Sequence, residues 1–262
     1  MTDSPLLLDF QDISVVRNNN LALNRFSLKI AAGEHVCILG PNGSGKSTFI
    51  KTITRECYPL ATAEASMSIL GRSVWNVFEL RLLLGIVSPD LLAACSNDSS
   101  CMDVVLSGFF SSARIFPNHH PSSEHVHRAE LALRRLGIAH LAKRSVLEMS
   151  SGEMKRTLIA RALVHEPQTL LFDEPGNALD IAGQVELRHV MRELTHAGIG
   201  ILLVTHHISE IFPEIERVVL LSRGTVLADG PKRELLSSER LSKLFEVPVR
   251  VFQDDGYYHL RA

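Results

Sequence analysis

No stretch of the 262 residues carries an unbroken apolar run near the ~20 residues that cross a bilayer as a helix. Any work at a membrane therefore requires docking onto something that spans it. The opening MTDSPLLLDF lacks the basic start and long apolar centre of an export signal. An excess of either charge is also missing: 27 Lys and Arg stand against 29 Asp and Glu, which leaves no global field to draw the chain onto nucleic acid or anionic lipid. Cysteine is scarce. The four present, Cys37, Cys57, Cys95 and Cys101, show no CxxC pairing, which argues against a thiolate metal site and for reduced thiols in a cytoplasmic protein. Internal repeats, heptad runs and low-complexity linkers are absent as well, so a single domain over residues 1–262 is expected, long enough to bury its own core.

What is there alternates strands with helices. Leu6 to Phe10, Ile13 to Val16 and Phe26 to Ile30 read as an antiparallel edge, and Val36 to Leu39, apolar on both faces, as a buried parallel strand. From about residue 88 to 165 the pattern is that of a helical insertion, with Val126, Ala129, Leu133 and Leu136 at helical spacing behind the capping candidates Ser122 and Ser123. A strand at Thr169 to Phe172, a helix through Ile181 to His196, a strand at Gly200 to Val204 and a hairpin turning at Arg223-Gly224 follow. The tail reads as short helices and a last strand pair. The fold class expected is α/β with a mostly parallel central sheet, an antiparallel β edge at the N-terminus and an inserted helical lobe; the glycine-rich Gly40–Ser47 between the buried strand and a helix makes it a P-loop NTPase core.

Gly40-Pro41-Asn42-Gly43-Ser44-Gly45-Lys46-Ser47, with Thr48 after it, fits GxxxxGK[ST] between a buried strand and a helix. The glycines let successive amides turn inward onto phosphate oxygens, and the helix adds its positive amino end. Lys46 would reach the β and γ phosphates, and Ser47 would give its hydroxyl to Mg²⁺. ATP with magnesium is the implied ligand. Asp173 and Glu174 then follow four mostly apolar strand residues. Two carboxylates at the carboxyl end of a buried strand call for a cation or a solvated cleft. Asp173 is assigned to Mg²⁺ through water and Glu174 to the attacking water as base.

Met149-Ser150-Ser151-Gly152-Glu153, followed by Ile159-Ala160-Arg161-Ala162-Leu163 and placed just upstream of Asp173-Glu174, resembles the signature segment of ATP-binding-cassette ATPases. The order of motifs is similar too: phosphate loop, helical insertion, signature, acidic strand. Ser150 with Glu153 three residues on is equally a capping box at a helix start, and both readings hold together. The resemblance implies that Ser150, Ser151, Gly152 and Glu153 clamp the γ phosphate of a nucleotide held by an opposite subunit. Two such chains would then sandwich ATP head to tail, most simply as a homodimer. It also implies that Asn177 to Asp180 crosses that interface, and that His206 contacts the γ phosphate and positions Glu174 with its water.

Some positions depart from the family pattern. Ser88 stands where a glutamine senses Mg²⁺ and the membrane partner, and is the tentative third metal-site residue. No aromatic residue is placed near Val16-Arg17 to stack on adenine, which leaves the guanidinium of Arg17 for that task. Ser151 replaces the usual first glycine of the signature. The tail, Ser238 to Val249, resembles ATPases that energise uptake of iron chelates and cobalamin. The resemblance thus implies a transport motor at the cytoplasmic face of the membrane, peripheral to a permease, with no nucleic acid partner. A cytoplasmic cassette ATPase acting on ribosomes or nucleic acid, or an ATP-binding regulator, are the alternatives. His119, His120, His125 and His127 read as a solvated loop and helix start, since no carboxylate or cysteine frames a ligand set.

Overall fold

Two amino-terminal segments separated by Gln11-Asp12 fold as one strand in the computed structural model, which describes residues 5–261; the first four residues of MTDSPLLLDF and Ala262 lie outside them. Strand β1 (Leu6–Arg17) pairs antiparallel with β2 (Asn20–Ala31), and its register shifts between Phe10 and Ile13. Asp12 sits there at φ 49°, ion-paired to Arg25 at 2.9 Å. The extra residue of this bulge keeps Phe10, Ile13 and Val15 all buried. Asn18 and Asn19, both at positive φ, make the tight turn between the strands. Next come β3 (His35–Leu39), α1 (Lys46–Ile53) and β4 (Ser66–Ile69), the last adding a third strand beside β1. Phe49 of α1 is fully buried, its ring centroid 5.4 Å from Phe26 and 6.1 Å from Phe10. The helix that follows the phosphate loop is thereby stapled onto the β1–β2 sheet.

Residues 78–199 form a unit of their own. It contains all but the first residue of α2 (Val77–Leu83), then β5 (Leu84–Val87), α3 (Pro89–Cys95), α4 (Cys101–Ser107), α5 (Ser123–Arg135), α6 (Ser151–Leu163), β6 (Thr169–Asp173) and α7 (Ile181–His196). Strands β5 and β6 run parallel, and between residues 89 and 163 every described element is helical. Helix α5 has the predicted Ser122 cap. Arg128, whose guanidinium lies 5.7 Å from the Phe109 ring centroid, joins an aromatic ladder in this unit. His119 stacks on Phe110 at 4.4 Å, His125 on Phe109 at 4.3 Å, and His165 meets Phe109 edge-on. Two of the tempting histidines thus serve packing and, through Nδ1 of His125, a capping box.

The other unit is completed by β7 (Gly200–Thr205), β8 (Arg217–Ser222), β9 (Thr225–Pro231), α8 (Lys232–Leu235), α9 (Ser238–Phe245), β10 (Arg250–Asp254) and β11 (Tyr257–Arg261). Here β3 lies between β7 and β8, parallel to both, while β9 turns back antiparallel on β8. Each of β3 and β7 is buried almost end to end, as a strand covered on both faces must be. No described helix is long and apolar enough to cross a membrane.

Candidate functional site

The phosphate loop leaves β3 at Gly40, whose N–H donates to the Thr205 carbonyl at the end of β7. A Cβ on Gly40 would lie 2.4 Å from the Leu221 carbonyl oxygen and 2.6 Å from Ser44 Oγ, so no other residue fits. Gly43 and Gly45 take φ of 79° and 108°, a region that side chains strain to enter. Lys46, only 5% exposed, donates from Nζ to the carbonyls of Gly40 at 2.8 Å and Pro41 at 3.0 Å. Ser47 is exposed on the first turn of α1, and Thr48 is buried beneath it.

Among the described residues no protein acceptor meets the N–H groups of Asn42, Gly43 or Gly45. Ser44 Oγ is buried, with the residue 3% exposed, and has no hydrogen-bond partner. A buried hydroxyl left in this state is costly unless a ligand satisfies it. An anion with several acceptor oxygens fits the donor set, and the amino end of α1 adds its dipole. Arg17, at the end of β1, is half-buried and its guanidinium has no hydrogen-bond or ion-pair partner among the described residues.

His206 and His207 follow β7, with ring centroids 3.8 Å apart. His206 is half-buried and His207 exposed.

In the unit of residues 78–199, β6 ends at half-buried Asp173, and Glu174 follows at φ 46°. A left-handed glutamate is strained, and such strain concentrates where geometry serves chemistry. Asn177 Nδ2 donates to Glu174 Oε2 at 2.5 Å, which orients the carboxylate. The signature opens α6 as a complete capping box: Ser150 Oγ accepts from Glu153 N at 3.2 Å, and Glu153 Oε2 accepts from Ser150 N at 2.7 Å. That backbone bond is the main reason the Glu153 carboxyl is held below the usual range, with Arg144 adding to it. Ser151 and Ser150 are exposed and Gly152 has open space around its Cα. Asp180 caps α7, accepting from Gly183 N at 2.8 Å.

Ser88 has a local structural part as well. It caps α3, its Oγ accepting from Leu91 N at 3.2 Å, with Pro89 at the first helical position. Serine, proline and an acid in succession are a helix start that the sequence displays openly. The orienting role of Asn177 had no such signal beyond its place after Glu174. The brace that the Arg223–Gly224 turn gives the phosphate loop, with Gly224 N donating to the Ser44 carbonyl at 2.8 Å, had none at all.

The family profile described as ABC transporter matches residues 23–177. The hemin import ATP-binding protein HmuV of Bordetella avium is 31% identical over 257 residues, covering 94% of this chain and 94% of that one. Among solved structures, cbiO1 from Clostridium perfringens, part of the transporter complex cbiONQ, superposes with a TM-score of 0.76 at 26% identity, covering 92% of this chain and 94% of that one. The ATP-binding cassette MJ0796, seen as a dimer bound to ADP and Pi, superposes with a TM-score of 0.68 at 25% identity over 86% of this chain and 98% of that one.

Proposed function

The chain belongs to the ABC transporter family as an ATP-hydrolysing subunit, and we propose on that footing that it powers import of an iron chelate or similar metal complex. It does so at the cytoplasmic face, peripheral to a membrane-spanning partner, with two copies closing over ATP. The observation that carries the reading is the cradle at Gly40–Ser47, with loop amides that meet no protein acceptor and a buried, unpartnered Ser44 hydroxyl. The hemin-import relative supports the cargo class, and the cbiONQ relative supports a membrane partner.

Residue by residue, the roles follow from the motifs. The amides of the loop and Ser44 bind phosphate oxygens, and Lys46 exchanges its own loop carbonyls for the β and γ phosphates. Ser47 and Asp173 offer hard oxygen donors of the kind magnesium takes, Asp173 through a water. Magnesium, when bound, would offset the charge of the β and γ oxygens. Glu174 accepts a proton from the attacking water as its oxygen bonds to the γ phosphorus. The bond from that phosphorus to the bridging oxygen breaks, and ADP and phosphate leave. His206 holds the γ phosphate and the water in line. Ser150 and the amino end of α6 clamp the γ phosphate of the second copy's nucleotide, with Asp180 at the same interface.

Isolation of the intact complex from native membranes, followed by reconstitution in vesicles, tests this reading. Uptake of haem or a ferric chelate that stops without ATP is the expected result. Recovery of the chain with ribosomal proteins and no membrane subunit would refute it.

A further inference from the structure

The turn between β8 and β9 is made of two residues at positive φ, Arg223 at 48° and Gly224 at 77°. Such a turn is a tight, stiff hairpin end, and Thr225 Oγ1 closes it on the Ser222 carbonyl at 2.9 Å. Its tip is wedged between two other backbones. Gly224 N–H donates to the Ser44 carbonyl at 2.8 Å, and the Gly224 carbonyl accepts from Asn24 N at 2.9 Å. A Cβ at Gly224 would lie 2.6 Å from the Ala22 carbonyl oxygen, and one at Gly45 would lie 2.7 Å from the same atom. Hairpin tip, phosphate loop and β2 meet here through bare backbone.

The Ser44–Gly45 peptide is trans, like every described peptide, so its carbonyl and its N–H point to opposite sides of the chain. Once Gly224 captures the carbonyl, the Gly45 N–H is turned away from the hairpin. That N–H has no protein acceptor among the described residues. We propose that Gly224 is a positioning residue for nucleotide binding: by holding the Ser44 carbonyl it aims the Gly45 amide at the phosphates. The proposal rests on the reading of Gly40–Ser47 as the ATP cradle. The effect proposed for Gly224 passes through one peptide plane, that between Ser44 and Gly45.

The test compares three proteins labelled with ¹⁵N-glycine: the parent, Gly224→Ala and Gly71→Ala. Gly71 has a similar φ of 74° with open space around it, so its alanine variant suffers the same backbone strain without disturbing the loop. ADP and ATP affinities are titrated, and the Gly45 amide is followed on adding ADP. In the parent and Gly71→Ala, that amide should move strongly downfield. In Gly224→Ala the move should be lost and affinity should fall about tenfold or more, the loss of a charge-assisted contact. If Gly224→Ala does not fold, an ester in place of the amide at residue 224 removes only the N–H, and affinity should fall about fivefold. Parent-like affinity and a parent-like Gly45 shift in either altered protein would overturn the proposal. A parent that binds neither nucleotide would instead overturn the ATP reading beneath it.

Discussion

Replacing Lys46 by alanine removes an ammonium that donates to the Gly40 and Pro41 carbonyls from a position only 5% exposed. In the ligand-free protein the two carbonyls lose charge-assisted donors, each worth about 1.5–3 kcal/mol. The cost of keeping a charge out of water is relieved at the same time, so the net loss of stability should be about 1–3 kcal/mol, seen as a lower Tm. With ATP the loss is larger, because the same charge must satisfy phosphate oxygens that carry most of the binding. A fall in affinity of about a hundredfold, or about 2.7 kcal/mol, is expected in a calorimetric titration. Lys46→Met keeps the aliphatic stem and should lose as much affinity. ATP affinity within about threefold of the parent in both variants would refute the assignment of the loop.

Glu174→Gln should retain ATP, abolish turnover and accumulate as a species of doubled mass in ATP, measured by light scattering; turnover at the parent rate would show that another group activates the water. Phe49→Ala empties a fully buried site between Phe10 and Phe26 and should cost about 4 kcal/mol in denaturant unfolding, with nucleotide affinity falling as α1 loosens. Of the four cysteines only Cys57 is not buried, and burial pushes the thiols of Cys37, Cys95 and Cys101 up. Brief alkylation of the native protein followed by peptide mass mapping should therefore modify Cys57 alone.

Elements whose own residues carry a period or a cap were legible before any coordinates. The run Val36–Leu39, the helix behind Ser122 and the Arg223-Gly224 hairpin all appear where their local pattern places them. Strand β4 was not legible. Ser66–Ile69 is four residues long with two serines, and only its register against β1 makes it a strand. The bulge at Asp12 was hidden for a similar reason, since it is defined by Ser27 and Arg25 on the facing strand. Side chains with strong chemical character, such as Lys46, Asp173 and Glu174, announce themselves in the sequence. Work done by a backbone carbonyl or a peptide plane leaves no such mark. Hence Gly40 was legible as a loop glycine, while its closeness to Leu221, and the grip of Gly224 on Ser44, were not.

Lys155 lies four residues beyond the signature serine Ser151, and its buried Nζ donates to the carbonyl of Pro175 at 2.5 Å. Pro175 is the residue after Glu174. The helix that opens at the signature serine is thus tied, through a buried ammonium, to the residue that follows the left-handed glutamate. Displacing α6 from that turn therefore costs a charge-assisted bond made out of reach of water.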